Sequence, residues 1–259
     1  MATPILMYHE LSSPGRQTCE STPGYLRYVV DQSVFANQLS WLAASGLSAI
    51  GIAAAQARGF DCTNQVVVTF DDGCETDLDV AAPLLARWGF GATFYVVSGW
   101  LGRRRGFMTP PDLRRLYEMG FEIGSHSVSH AFLSDLDDAA LDREVRDSKR
   151  ALEDVIGGEV LHLSCPGGRW SRRVATAARA AGYHSVSTSR LGVNRAGSDW
   201  FDLARCAIRS DTPASTFESI SAGQRLGRLQ LQDRLMSVAK RTLGTRLYTN
   251  LRDLALKHH

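Results

Sequence analysis

The chain has 259 residues, 44% of them hydrophobic and 22% charged, with a formal net charge of +2. These proportions are ordinary for a soluble globular protein, and a charge so near zero gives no ground for a nucleic-acid partner. Its five cysteines are odd in number and include no Cys-x-x-Cys pair, which argues against a zinc ribbon or a secreted disulfide framework and suits a reducing compartment.

The N-terminus, Met1 to Met7, has neither the basic region nor the long apolar core of a leader, and no apolar run approaches the ~18 residues of a membrane span. The expectation is a cytoplasmic protein with one large domain and an appendage. Pro4 to His9 reads as a short buried strand ending on a polar pair, followed by a polar loop to about Gly24. Phe35, Leu39 and Leu42 recur at helical spacing, with Gly46 as a C-cap. Val66-Val67-Val68-Thr69-Phe70 is a β-favouring run that leads straight into Asp71 and Asp72. Val80, Leu84, Leu85 and Trp88 then mark a helical face that stops at Gly89, and Ala92 to Val97 is the next strand.

Thr109 before Pro110 supplies an N-cap and first-turn pair for a helix carrying Leu113, Leu116 and Tyr117. Phe121 to Ser125 is a strand that runs into His126. Leu141, Val145, Leu152 and Val155 mark a long amphipathic helix closed by Gly157-Gly158. Leu161 to Cys165, His184 to Thr188 and Leu203 to Ile208 supply three more strands, with a Val174 to Ala181 helix between the first two. Strand and helix alternate about seven times with short connections, the pattern of parallel βαβ units in an α/β barrel or an open doubly wound sheet. Both architectures collect active sites at the C-terminal ends of their strands. From Ser221 onward Arg and Lys dominate over Asp233 and Asp253, with leucines interleaved, so residues 1–220 read as a catalytic domain and 221–259 as a basic amphipathic helical extension. That extension is expected to pack across the barrel bottom, with an anionic membrane surface or a partner subunit as its other contacts.

Two adjacent carboxylates at the end of a buried strand repel each other and call for a cation, a shared proton or open water. His126-Ser127-Val128-Ser129-His130 places two imidazoles four residues apart directly after another strand. If that stretch is helical, both lie on one face, a spacing that holds a metal. Two histidines and one aspartate leave open positions for water and substrate.

Thr69-Phe70-Asp71-Asp72-Gly73 together with His126-Ser127-x-x-His130 resembles the polysaccharide deacetylase family, the nodulation-protein-B-like group also called carbohydrate esterase family 4. Met7-Tyr8-His9, Gly91-Ala92-Thr93-Phe94, Met108-Thr109 and Pro166-Gly167-Gly168 support the resemblance, and the Met-Tyr-His opening is similar to a subgroup acting on exopolysaccharides. It implies a distorted (β/α) barrel of about seven parallel strands that removes N-acetyl groups from amino sugars of an oligo- or polysaccharide, or its lipid-linked precursor, using a divalent metal. By the same resemblance Asp71 is the catalytic base, and Asp72, His126 and His130 are ligands for zinc, with cobalt, nickel or iron also suited to the set. Ser127 orients the loop, and Pro166-Gly167 presents the Gly167 N–H to an oxyanion.

The chain departs from the family pattern at three places. Ser164 stands where many members have an arginine, Gly167 stands where they have an aromatic residue, and no Leu-x-His motif supplies a general acid. His9, at the end of the first strand, is the candidate acid. Arg205 is the candidate to hold Asp71 by a charge-assisted bond, and Trp200 a candidate wall of the acetyl pocket. Arg103-Arg104-Arg105 reads as a solvated loop or a grip on an anionic substrate, and Cys74 and Cys165 as small buried fillers. The competing readings are a carbohydrate-binding pseudoenzyme and a deacylase of a small or lipid-linked sugar. A phosphatase of the haloacid-dehalogenase type is a poor third reading, because its aspartates alternate as Asp-x-Asp whereas Asp71 and Asp72 are adjacent.

Overall fold

The computed structural model describes residues 2–223, so all but the first three residues of the expected basic extension lie outside the described residues. The strands, in chain order, are β1 (Thr3–Tyr8), β2 (Leu11–Ser12), β3 (Val30–Asp31), β4 (Ser48–Ile50), β5 (Gln65–Phe70), β6 (Thr93–Val96), β7 (Glu122–Ser125), β8 (His162–Ser164), β9 (Ser185–Ser187), β10 (Val193–Asn194) and β11 (Cys206–Ala207). The α-helices are α1 (Pro23–Leu26), α2 (Gln32–Ala44), α3 (Ile52–Ala57), α4 (Ala82–Ala86), α5 (Pro110–Glu118), α6 (Asp138–Ile156), α7 (Arg172–Ala180) and α8 (Ala214–Ser221).

β1 is buried at every position and β5 from Val66 onward, as unbroken apolar runs require when a strand is covered on both faces. From β1 the sheet runs through β5, β6, β7 and β8 to β9, every step parallel. β4 adds to the first residues of β5, and β10 runs antiparallel beside the start of β1. The segment from Leu203 to Ala207 then spans the gap between the two ends of the curl. Leu203 bridges to Ser187 of β9, and β11 pairs with Leu6 and Met7 of β1. Arg205 sits midway along this closing segment.

Alternation along the strands decides what faces the barrel interior. Ile5, Val67, Tyr95 and Leu203 form an apolar cluster there with Ile52 and Phe60. Two residues further along the same face of β5 stands Thr69, and two beyond that Asp71, so the interior turns polar toward the strand C-termini. The opposite faces, Leu6, Val68, Phe70 and Phe94 among them, join the larger core beneath the helices.

The helix signals of the sequence operate as expected at two places. Thr109 and Asp112 form a reciprocal capping box at the start of α5, and α6 begins on Asp137 and ends on a left-handed Gly157. Two elements depart from expectation. The β4–α3 unit has only three strand residues, too few for alternation to register. Trp88, expected on the buried helical face, is 47% exposed and stacks on Phe90, because α4 ends at Ala86 and Trp88 falls in the turn that follows.

Candidate active site

β5 delivers the two acids in different directions. Asp71 continues the ladder, its N–H donating to the Tyr8 carbonyl at 3.0 Å, whereas Asp72 turns into the left-handed region at φ 82°. Gly73 follows at φ 84°, where an added Cβ would lie 2.9 Å from Val96 Cγ1, so the turn requires glycine. As a result Asp71 faces Arg205 and Asp72 faces the histidines.

The loop after β7 brings the imidazoles together, but not by the helical turn that the four-residue spacing suggests. Ser127 and His130 are both left-handed, at φ 66° and 63°. Hydrogen bonds impose that shape: Ser127 N–H donates to Ser125 Oγ and His130 N–H to Ser127 Oγ. Glu144 of α6 clamps the outside of the loop, accepting from the N–H groups of Val128 and Ser129 at 2.8 and 2.9 Å and from Ser129 Oγ at 2.6 Å. Ser127 thus orients the loop, while Glu144 was not foreseen; it is one of many carboxylates on an amphipathic helix, and only tertiary contact singles it out.

One oxygen of Asp72, His126 and His130 supply ligand atoms that all lie within 4.8 Å of one another. His126 Nε2 and His130 Nε2 stand 3.5 and 3.4 Å from Asp72 Oδ1, a buried atom with no hydrogen-bond partner. His126 Nδ1 lies 2.9 Å from the Ser164 carbonyl, which can only accept, so the proton resides on Nδ1 and the Nε2 lone pair points into the cluster. An orphaned carboxylate oxygen facing one nitrogen lone pair and a second imidazole nitrogen fits a divalent cation. Burial pushes the Asp72 carboxyl up to about 6, with Asp71 adding to the rise against the opposing charge of His9. Burial likewise pushes His126 down to about 3 and lowers His130, keeping both imidazoles neutral as ligation demands.

Asp71 is governed by Arg205. The guanidinium spans the carboxylate as a fork, Nη1 to Oδ1 at 2.7 Å and Nη2 to Oδ2 at 2.8 Å. Arg205 Nε donates to the Thr188 carbonyl at 2.7 Å, and Ser164 Oγ lies 2.8 Å from Nη2 and 3.3 Å from Asp71 Oδ2. Burial alone would raise the Asp71 carboxyl; the Arg205 guanidinium overcomes that and holds it far below the usual carboxylate range.

His9 follows the last residue of β1, and its ring lies against Tyr28 at 4.6 Å between centroids. Its Nδ1 is buried without a partner. Pro166, buried, and Gly167, left-handed at φ 60°, form the turn after β8. A Cβ at Gly167 would lie 2.6 Å from Phe132 Cε1, so the Phe132 ring fills the space beside that turn. Trp200 does not join the site. It stacks on Phe60 at 4.2 Å between centroids, and the Phe60 carbonyl accepts from Thr3 at the beginning of β1, the opposite end of the barrel. Its apolar surface is spent on closing the barrel bottom. Arg104 lies over the Trp100 ring at 4.2 Å and pairs with Glu20 at 2.6 Å, and Arg105 bonds Gln17, so two of the three consecutive arginines are engaged within the protein.

A family model described as polysaccharide deacetylase matches residues 61–186. The Bacillus subtilis protein YxkH is 25% identical over 221 residues, 83% of this chain and 74% of YxkH. The peptidoglycan-N-acetylglucosamine deacetylase of Bacillus cereus is 30% identical over 122 residues, 47% of this chain and 54% of that protein. Among solved structures, the Streptococcus pyogenes deacetylase PplD superposes with a TM-score of 0.73 at 21% identity, over 85% of this chain and 98% of PplD.

Proposed function

Because the chain belongs to the polysaccharide deacetylase family, we propose that residues 1–220 form a metal-dependent hydrolase that removes N-acetyl groups from amino sugars of an oligo- or polysaccharide. The observation that carries this reading is the separation of the adjacent acids, Asp72 toward two neutral imidazoles and Asp71 into a guanidinium fork. Asp72, His126 and His130 would hold the cation, and their donor set suits zinc. When bound, that cation supplies Lewis acidity toward the acetamide carbonyl and the attacking water.

Arg205 keeps Asp71 ionised and fixed in direction throughout the neutral range, so Asp71 stands ready to accept a proton from water. The Gly167 N–H donates to the oxyanion that develops as water adds to the carbonyl carbon. His9 protonates the departing nitrogen as the C–N bond breaks, giving acetate and a free amine. Ser164 and Thr188 position Arg205, and Glu144 positions the histidine loop.

Acetate release from chito-oligosaccharides and from peptidoglycan fragments by the zinc-loaded chain tests the proposal, with Asp71→Asn expected to lower turnover by ~10²-fold or more. No release from any acetylated sugar by a folded, zinc-loaded wild type would overturn it in favour of a carbohydrate-binding module. Unchanged release in Asp71→Asn would remove Asp71 as the base.

A further inference from the structure

A second convergence of donor atoms lies apart from the Asp72 triad. A carboxylate oxygen of Glu10 and the sulfurs of Cys19 and Cys74 are all within 4.8 Å of one another, and both cysteines are free thiols. Glu10 lies two residues beyond β1, Cys19 in the loop before α1, and Cys74 directly after Gly73. The cluster therefore joins the long polar loop to the strand end that carries Asp71 and Asp72.

Glu10 and Cys74 are buried and Cys19 is half-buried. The Glu10 carboxylate accepts from the Cys19 N–H at 3.0 and 3.2 Å and from the Tyr25 hydroxyl at 2.8 Å. The same hydroxyl is 3.5 Å from Cys74 Sγ. Cys19 Sγ is 3.0 Å from the Gly106 carbonyl and also lines an open cavity of about 520 Å³, which gives the cluster a path to solvent.

Three residues beyond Cys74 a further buried acid lacks a partner. Asp77 has no exposed surface, and neither of its carboxylate oxygens has a hydrogen-bond partner. Its N–H donates to the Cys74 carbonyl at 3.0 Å, which sets it beside the cluster. Arg16 is the cation that acts on Glu10, and it is already held by Asp79 at 2.7 Å. A buried carboxylate left in this condition is costly unless a cation or proton joins it.

We propose that Glu10, Cys19 and Cys74 form a second divalent-metal site, of zinc type, which fixes the loop containing Cys19 against the turn that carries Asp72. Two sulfurs and one carboxylate favour a borderline-soft ion over calcium or magnesium. Binding releases the two thiol protons to solvent. The excess negative charge is eased by the Cys19 N–H and the Tyr25 hydroxyl, which donate into the cluster.

Cobalt substitution of the full chain, under a phosphine reductant that keeps the thiols open, reads this site without reference to activity. Thiolate ligation gives a sulfur-to-cobalt charge-transfer band in the near ultraviolet, which an Asp/His/His site cannot produce. The wild type is expected to bind about two cobalt ions per chain and to show the band. His126→Ala should lose one ion and keep the band, while Cys19→Ser should lose one ion together with the band. Glu10→Gln, which leaves both thiols in place, should weaken the band-forming site by ~10-fold or more. A folded wild type that binds one cobalt and lacks the band overturns the proposal, as does a band that survives Cys19→Ser; either result leaves the Asp72 triad untouched.

Discussion

Arg205 grips Asp71 from across the barrel, both side chains buried, with its two terminal nitrogens 2.7 and 2.8 Å from the two carboxylate oxygens. Removing one member of such a pair strands the other in a poorly solvated place. Arg205→Met is therefore expected to cost ~3–5 kcal/mol in stability. It should also raise the proton affinity of Asp71, so the acid limb of kcat/KM moves to higher pH. Arg205→Lys keeps the charge but loses the fork, and should fall between wild type and Arg205→Met on both measures. Denaturant unfolding and pH–rate profiles check this; an acid limb unmoved in Arg205→Met would detach Asp71 from the guanidinium.

Asp72 makes the opposite contribution while no metal is bound. Burial pushes its carboxyl up to about 6. Between its ordinary value of about 4 and that value, the folded chain holds a proton the unfolded chain has lost. Stability therefore falls as pH rises through this window and stays lower above it, by on the order of 3 kcal/mol. His126, pushed down to about 3 by burial, contributes the reverse slope across an overlapping range, so variants rather than the wild-type profile isolate the effect. In chelator at pH 7, Asp72→Asn should be more stable than wild type; with zinc added the order should invert. A variant less stable than wild type in chelator would contradict the assignment of Asp72 as a strained, metal-relieved ligand.

Glu144 touches neither proposed ligand side chain, yet three donors of the histidine loop converge on its carboxylate. Glu144→Ala is expected to weaken zinc binding by ~10–100-fold, measured by competition with a chromogenic chelator. Glu144→Gln, which retains an acceptor oxygen, should lose less. An unchanged Kd in Glu144→Ala would show that the loop holds its shape without the clamp.

The parts legible in the sequence are those carried by local pattern. The unbroken run from Val66 to Phe70 marked a central strand, and the Thr109-Pro110 and Asp137 to Gly157 signals marked two helices, because alternation, capping and apolar spacing act within a few residues. What stayed hidden depends on residues far apart in the chain. Ser164 looked like a missing arginine, but Arg205 enters from the closing segment and its Nη2 lies 2.8 Å from Ser164 Oγ. Gly167 looked like a missing aromatic, but the Phe132 ring occupies the neighbouring space. The histidine pair is visible at its spacing, while its left-handed loop is not, since positive φ is uncommon outside glycine and the bonds from Ser125 and Ser127 that hold it form only in the fold. Trp200 shows the converse error: proximity in sequence to Arg205 placed it at the site, but it lies at the other end of the barrel.

His9 stands one residue beyond β1 with a buried, unpartnered Nδ1. As the acid that protonates the leaving amine, it matters only when the leaving group is a poor one. His9→Ala should lower acetate release from N-acetylated sugars by ~10²-fold or more, with zinc content unchanged. An activated ester such as 4-nitrophenyl acetate expels a stable phenolate that needs no proton, so its hydrolysis by the same variant should stay near the wild-type rate. A parallel fall on both substrates would mean that His9 supports the site through its contact with Tyr28 rather than by donating a proton. Near-normal amide hydrolysis would remove it from the reaction altogether.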